Sequence, residues 1–124
     1  MSKTQLLLVL ALTAGTVSAQ QRQWEYAGTH PEQPGIKLFL DRSDIQKTGH
    51  QARIWSLLQR GEAESSVGHT EIECQTGQAR SLGWTTYSGK MGSGKVIGSS
   101  DKPGDWFYFG PGSLLEKLLL AACR

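Results

Sequence analysis

Two cysteines, Cys74 and Cys123, stand behind an N-terminus laid out as an export signal. Lys3 supplies a positive charge, Leu6 to Ala14 is almost wholly apolar, and Val17-Ser18-Ala19 sets small residues where a signal peptidase cuts. The apolar run is too short, and wrongly flanked, for a membrane-spanning helix. Residues 1–19 therefore read as a signal peptide cleaved after Ala19, with a mature chain starting near Gln20. Such a chain enters an oxidising compartment, where two thiols become one disulfide. With two cysteines only one intramolecular pairing exists, Cys74 with Cys123. Whatever the chain folds into must bring those two positions together.

Residues 20–124 suffice for one small domain, which buries a modest share of its surface and is marginal without help. The loop-entropy model credits a bridge across about 50 residues with about 4 kcal/mol. Against a typical stability of roughly 5–15 kcal/mol this is a large share, so the bridge reads as structural. Charge excludes more than it suggests. The 13 Lys and Arg nearly balance 11 Asp and Glu, and no basic run resembles a nucleic-acid or membrane-surface patch. No nucleic-acid partner is expected, and no transmembrane segment in the mature chain: Leu114 to Cys123 covers about half of the roughly 20 residues a bilayer requires. No cysteine stands at the predicted cut, so lipid anchoring there is not expected. The expected location is periplasmic or secreted.

Beyond the signal the chain reads as short strands with glycine-rich punctuation and one closing helix. Trp24 and Tyr26 mark a first strand, and His30 to Gly35 a turn built on two prolines. Ile36, Leu38 and Leu40 alternate with Lys37, Phe39 and Asp41, the period of a half-buried strand. Asp41 to Gly49 reads as polar turn. Ala52 to Leu58 is apolar on both faces and predicts a central strand. Gln59 to Ser65 reads as a charged loop. Thr70, Ile72 and Cys74 then share one strand face, and His69, Glu71 and Glu73 the other. Ala79 to Tyr87 and Lys95 to Ser99 are further strands, and Trp106 to Phe109 an aromatic run. Short turns between successive strands favour antiparallel pairing. Ser113 with Glu116 forms a predicted capping box, and Leu114, Leu115, Leu118, Leu119, Ala121 and Ala122 share one wide helical arc. Leu120 falls outside that arc. The expected fold is α+β: an antiparallel sheet of about five to six strands against one C-terminal helix, fastened by the disulfide.

Chemistry-bearing patterns are few. Gly89-Lys90-Met91-Gly92-Ser93-Gly94-Lys95 matches most of a phosphate-binding loop, but Val96 replaces the magnesium-binding hydroxyl and a strand follows, not a helix. A flexible hairpin loop is expected, with Lys90, Met91 and Lys95 as candidate binding residues. His69-x-Glu71-x-Glu73 offers three metal donors on one strand, yet a single stripe does not converge on an ion, so a solvated outer face is expected. Asp41 and Asp44 read as turn chemistry. His30, His50 and His69 have no neighbouring pattern that assigns a base, and oxidised cysteines are not nucleophiles. No catalytic residue, metal or cofactor is expected. Of Trp24, Trp55, Trp84 and Trp106, Trp55 is expected in the core; Trp84 and Trp106 fit core or interface.

The ordered set Leu40-Asp41-Arg42-Ser43-Asp44-Ile45, Gly49, Arg53-Ile54-Trp55-Ser56-Leu57, Glu73-Cys74, Arg80, Tyr87-Ser88-Gly89, Gly94-Lys95-Val96, Trp106, Pro111-Gly112-Ser113 and Cys123 resembles the surface-adhesin protein E family of Gram-negative bacteria. The resemblance runs from Trp24 to Cys123. It implies an antiparallel sheet packed on a C-terminal helix and joined to it by the disulfide. It also implies a small exported protein, open to homodimer formation, that in the family's namesake binds host extracellular proteins. The expected function is a non-enzymatic envelope binding module for a protein or envelope component. A surface-displayed host-matrix adhesin is the second reading, and a small metal-dependent periplasmic enzyme using the acidic strand the third.

Overall fold

Alternating side chains along long extended runs, separated by turns of a few residues, give a sheet in which each strand pairs with the next. The computed structural model describes residues 17–124, so the expected signal peptide lies, save its last three residues, outside the described residues. The strands are β1 (Glu25–Thr29), β2 (Ile36–Thr48), β3 (Gln51–Arg60), β4 (Glu64–Glu73), β5 (Gln78–Tyr87) and β6 (Val96–Ser100). They pair antiparallel in that order, and β7 (Phe107–Tyr108) returns to the other end of β5 through Gln78↔Tyr108 and Ala79↔Phe107. Helix α1 (Glu116–Ala122) closes the chain.

One sheet face is apolar and carries the helix. Leu38, Leu40, Ala52, Ile54, Ile72 and Ala79 pack there against Leu114, Leu118 and Ala122, all nearly or fully buried. Each buried aliphatic side chain contributes about 1.5–3 kcal/mol relative to exposure. The disulfide forms as expected, with Cys74 just beyond β4 and Cys123 just beyond α1, their Cα atoms 5.6 Å apart. Leu120 is exposed, and no contact among the described residues explains it.

Several expectations change. The polar stretch after Asp41 is not a turn: β2 continues to Thr48 across a register shift between Asp41 and Gln46. Ser43 donates its N–H and hydroxyl to Asp41 Oδ1 there, so the local aspartate chemistry is real but builds a bulge within a strand. The charged loop shrinks to three residues, because Gln59 and Ser65 pair across the β3–β4 ladder. The capping box does not form. Ser113 accepts the Glu116 N–H through its backbone carbonyl, its hydroxyl is buried without a partner, and Glu116 accepts the Gly112 N–H instead. The first turn is wound by i→i+3 bonds from Glu116, Lys117 and Leu118, which fixes Ser113 as the start of a tight turn rather than as a cap.

The largest departure lies at the glycine-rich loop. Instead of a flexible hairpin it is tied down by distant residues: Ser65 Oγ donates to the Gly89 carbonyl and accepts the Gly92 N–H, and Gln59 accepts the Met91 N–H. Met91 holds a left-handed backbone (φ 53°) and packs, with Trp24, Phe39, Trp55 and Tyr87, on a second small core of Ala19, Leu57 and Val67. This core sits on the sheet face away from the helix. Ala19, the residue expected to precede the cut, is therefore seated in the fold, and its carbonyl accepts the Trp24 indole N–H at 2.8 Å. Gly92 (φ 78°) permits the contact, since a Cβ there would stand 2.6 Å from the Ala19 Cβ. In a chain that retains Ala19, Gly92→Ala is expected to lower stability by about 1–3 kcal/mol through backbone strain and collision. Adding Ala19→Gly should return part of that loss in a denaturant titration. No recovery would mean that the strain is wholly in the backbone.

Candidate functional site

Strand alternation that sends Ile54 to the helix sends Trp55 to the opposite face, and the registers Asp41↔Trp55, Trp55↔His69 and His69↔Gly83 line four residues up across β2, β3, β4 and β5. Neighbouring strands lie about 4.8 Å apart, close to ring-stacking distance. The His69 imidazole accordingly lies flat on the Trp55 indole, centroids 4.0 Å apart and planes 4° from parallel. The Arg22 guanidinium also lies 4.0 Å from the Trp55 ring centroid. Two groups at that distance cannot share one face, so Arg22 and His69 sandwich the indole.

Arg22 is held there by charge. Its side chain is 5% exposed and reaches Asp41 and Asp44, each at 3.1 Å. Burial alone would raise the Asp41 pKa, but hydrogen bonds from Ser43 and Arg22 outweigh it and hold the carboxyl below its usual range. Further along, Glu71 is buried and accepts from Arg53 (3.1 Å) and Arg80 (2.9 Å). Burial would raise its pKa too, and those two arginines bring it down. The His69-Glu71-Glu73 face is thus not the solvated face expected. Its middle carboxylate is already occupied, and among the described residues no three His, Cys, Asp or Glu gather where an ion could sit.

The row opens into a cleft of about 450 Å³ beyond His69, bordered by Trp55, Val67, Gly83, Thr85 and Asp101. Gly83 has no side chain to fill it, and a Cβ there would meet the Ser100 carbonyl at 2.9 Å. Among the described residues no hydrogen bond reaches either nitrogen of His69. Burial pushes its pKa below the ordinary value, and the positive charges of Arg53 and Arg22 push it further. The imidazole is neutral at neutral pH and keeps both a donor and an acceptor for a ligand.

These shifts predict an acid-sensitive fold. A histidine with a depressed folded pKa is protonated first in the unfolded chain, so stability begins to fall as the pH drops below about 6.5. That loss ends once folded His69 is protonated as well. Asp41 and Glu71, held low when folded, contribute stability that is present above about pH 4 and lost as the pH falls through their folded values. The denaturant midpoint should therefore drop in two stages on acidification. His69→Gln should flatten the first stage only; an unchanged profile would exclude His69 as its source.

The sequence-selected residues lie elsewhere: Lys90 and Met91 line a separate pocket with Phe39, Gln59 and Glu62. Lys90 pairs with Glu62 at 2.8 Å, Met91 packs on the second core, and Lys95 is exposed. They lie on or beside the tied loop and not in the cleft. Trp84 points by alternation to the helix face of the sheet, beyond the helix, is 45% exposed, and also borders the cleft. Trp106 is partly exposed under the Arg80 guanidinium at 4.8 Å. Arg22 and Asp101 were missed, because nothing local in the sequence ties either to His69. Among the described residues no helix is long and apolar enough to cross a membrane.

No curated protein and no solved structure matches the chain. A family model does, over residues 24–124, a span that takes in the whole sheet, the disulfide and the closing helix, and by that match the chain belongs to the surface-adhesin protein E family.

Proposed function

We propose that this chain is an exported, non-enzymatic binding protein of the bacterial envelope that engages an external protein through the helix-free face of its sheet. The observation carrying this reading is the cleft beside His69. Its floor is held by the Arg22–Trp55–His69 stack, and its imidazole nitrogens remain free for a ligand. Preorganised aromatic surface with unpartnered polar atoms is what a binding face needs, because little ordering entropy is left to lose on association. Membership in a family described as surface adhesins supports the same reading. Processing after Ala19, without a cysteine at that point, would leave the chain in the periplasm or outside the cell.

Display as a host-matrix adhesin is the second reading, favoured by the family's description. External protease on intact cells separates the two: a displayed chain is degraded, and a periplasmic one survives until the outer membrane is opened. The binding face itself is tested by cross-linking in living cells with Ser99→Arg, which places a long charged side chain from exposed Ser99 over the cleft. Loss of the wild-type protein cross-links is expected, with unfolding unchanged. Identical cross-links in the two chains would overturn the reading, as would turnover of an envelope substrate that His69→Ala abolishes without unfolding the chain.

A further inference from the structure

We infer that the cleft beside His69 receives an aromatic side chain of the partner protein, stacked on the free face of the imidazole and donating its O–H or N–H to Asp101. This rests on the binding reading above and adds the chemistry of what is bound. Arg22, Trp55 and His69 form successive layers of one stack, and the next layer, over Gly83, holds no side chain. The Ser100–Asp101 backbone closes the base of that layer, within 2.9 and 3.4 Å of where a Gly83 Cβ would stand, so a ring can reach the imidazole only from the open mouth of the cleft, which Asp101 borders. The cleft of about 450 Å³ between His69 and Asp101 is large enough to take an aromatic side chain.

Charge selects which planar group. Arg22 and Arg53 already place positive charge beside His69, enough to disfavour a proton on the imidazole. A partner arginine entering the same layer would meet that repulsion, with one exposed carboxylate to offset it. A neutral ring meets none. Val67 and Thr85 give such a ring apolar edges, and Asp101 accepts only from a group that carries a donor. Tyrosine and tryptophan have that combination; phenylalanine has the ring without the donor, and leucine lacks both.

The test titrates the amides of N-acetyl-tyrosine, N-acetyl-tryptophan, N-acetyl-phenylalanine, N-acetyl-arginine and N-acetyl-leucine into the full chain, following histidine ring signals by NMR. The tyrosine and tryptophan amides should saturate and move the His69 ring protons upfield, binding roughly five- to tenfold tighter than the arginine and leucine amides. Asp101→Ala should weaken the tyrosine amide several-fold and leave the phenylalanine amide unchanged. His69→Ala should weaken both. Because His69→Ala can disturb Trp55, Ser99→Arg, which leaves the stack intact, is the second variant and should block every aromatic amide. Arginine binding as tightly as tyrosine would overturn the inference, as would shifts centred on Trp106, or the absence of saturable binding. If the amides fail while Ser99→Arg still abolishes the protein cross-links, the inference falls and the binding reading stands. If the cross-links ignore Ser99→Arg, the reading itself falls.

Discussion

Replacing both cysteines, Cys74→Ala with Cys123→Ala, is expected to lower the unfolding free energy by about 4 kcal/mol. The bond closes 49 residues, which include β5, β6, β7 and the helix, so its loss frees a long stretch of the unfolded chain. The effect is not confined to the unfolded state. Helix α1 is only seven residues long, below the length at which an isolated helix persists in water. Its hold on the sheet is Leu114, Leu118 and Ala122 in the core, Leu115, Leu119 and Ala121 partly buried beside them, and the disulfide at its end. Without the bond, amide exchange in α1 should rise well above exchange in β3, through local detachment that does not require global unfolding. Denaturant titrations with and without reductant measure the first effect, and residue-resolved exchange the second. A loss below about 1 kcal/mol would mean that the apolar contacts alone hold the helix.

The second large effect is expected at Arg22→Ala, about 3 kcal/mol of destabilisation. Asp41 is 3% exposed at its side chain, and without Arg22 its charge keeps only the Ser43 bonds. Asp44, at 37% exposure, can turn to water and adds little. The substitution also strips one face of Trp55. Arg22→Lys should recover less than half, because an ammonium can neutralise Asp41 but offers no planar delocalised group to cover the Trp55 ring. Thermal unfolding gives the stability difference, and the emission of the tryptophans reports whether the N-terminal segment has lifted. Equal stability of the lysine variant and wild type would show that charge alone is at work.

Local pattern carried much of the fold. Period-2 alternation in Ile36–Leu40 and Thr70–Cys74 announced the helix-side core, the two apolar faces of Ala52–Leu58 placed β3 in the middle, and the count of cysteines dictated the bridge. What escaped was built from contacts distant in sequence. Asp41 to Thr48 looked like turn because its residue types suit turns, and only pairing with Gln51, Ala52 and Arg53 keeps it extended. The glycine-rich loop looked free because its partners, Gln59 and Ser65, lie on another hairpin. Glu71 looked solvated because a lone carboxylate usually is, and the two arginines that cover it sit on neighbouring strands. The candidate cleft was half legible. His69 stood out as a titratable group, but its stack depends on cross-strand register, and Arg22 arrives from a segment that periodicity cannot position.

The covalent tie also bears on how the molecule answers to pulling. A tether drawn between the N-terminal segment and Arg124 can strip β1 to β4 from one another, yet it cannot lengthen anything between Cys74 and Cys123 while the sulfurs are joined. At about 3.3–3.6 Å per extended residue, roughly 170 Å of contour stays locked away. Most of the cleft's outer wall, Gly83, Thr85 and Asp101, lies inside that locked segment. A ligand gripped there under shear would therefore load a closed ring, not a thread that can run out.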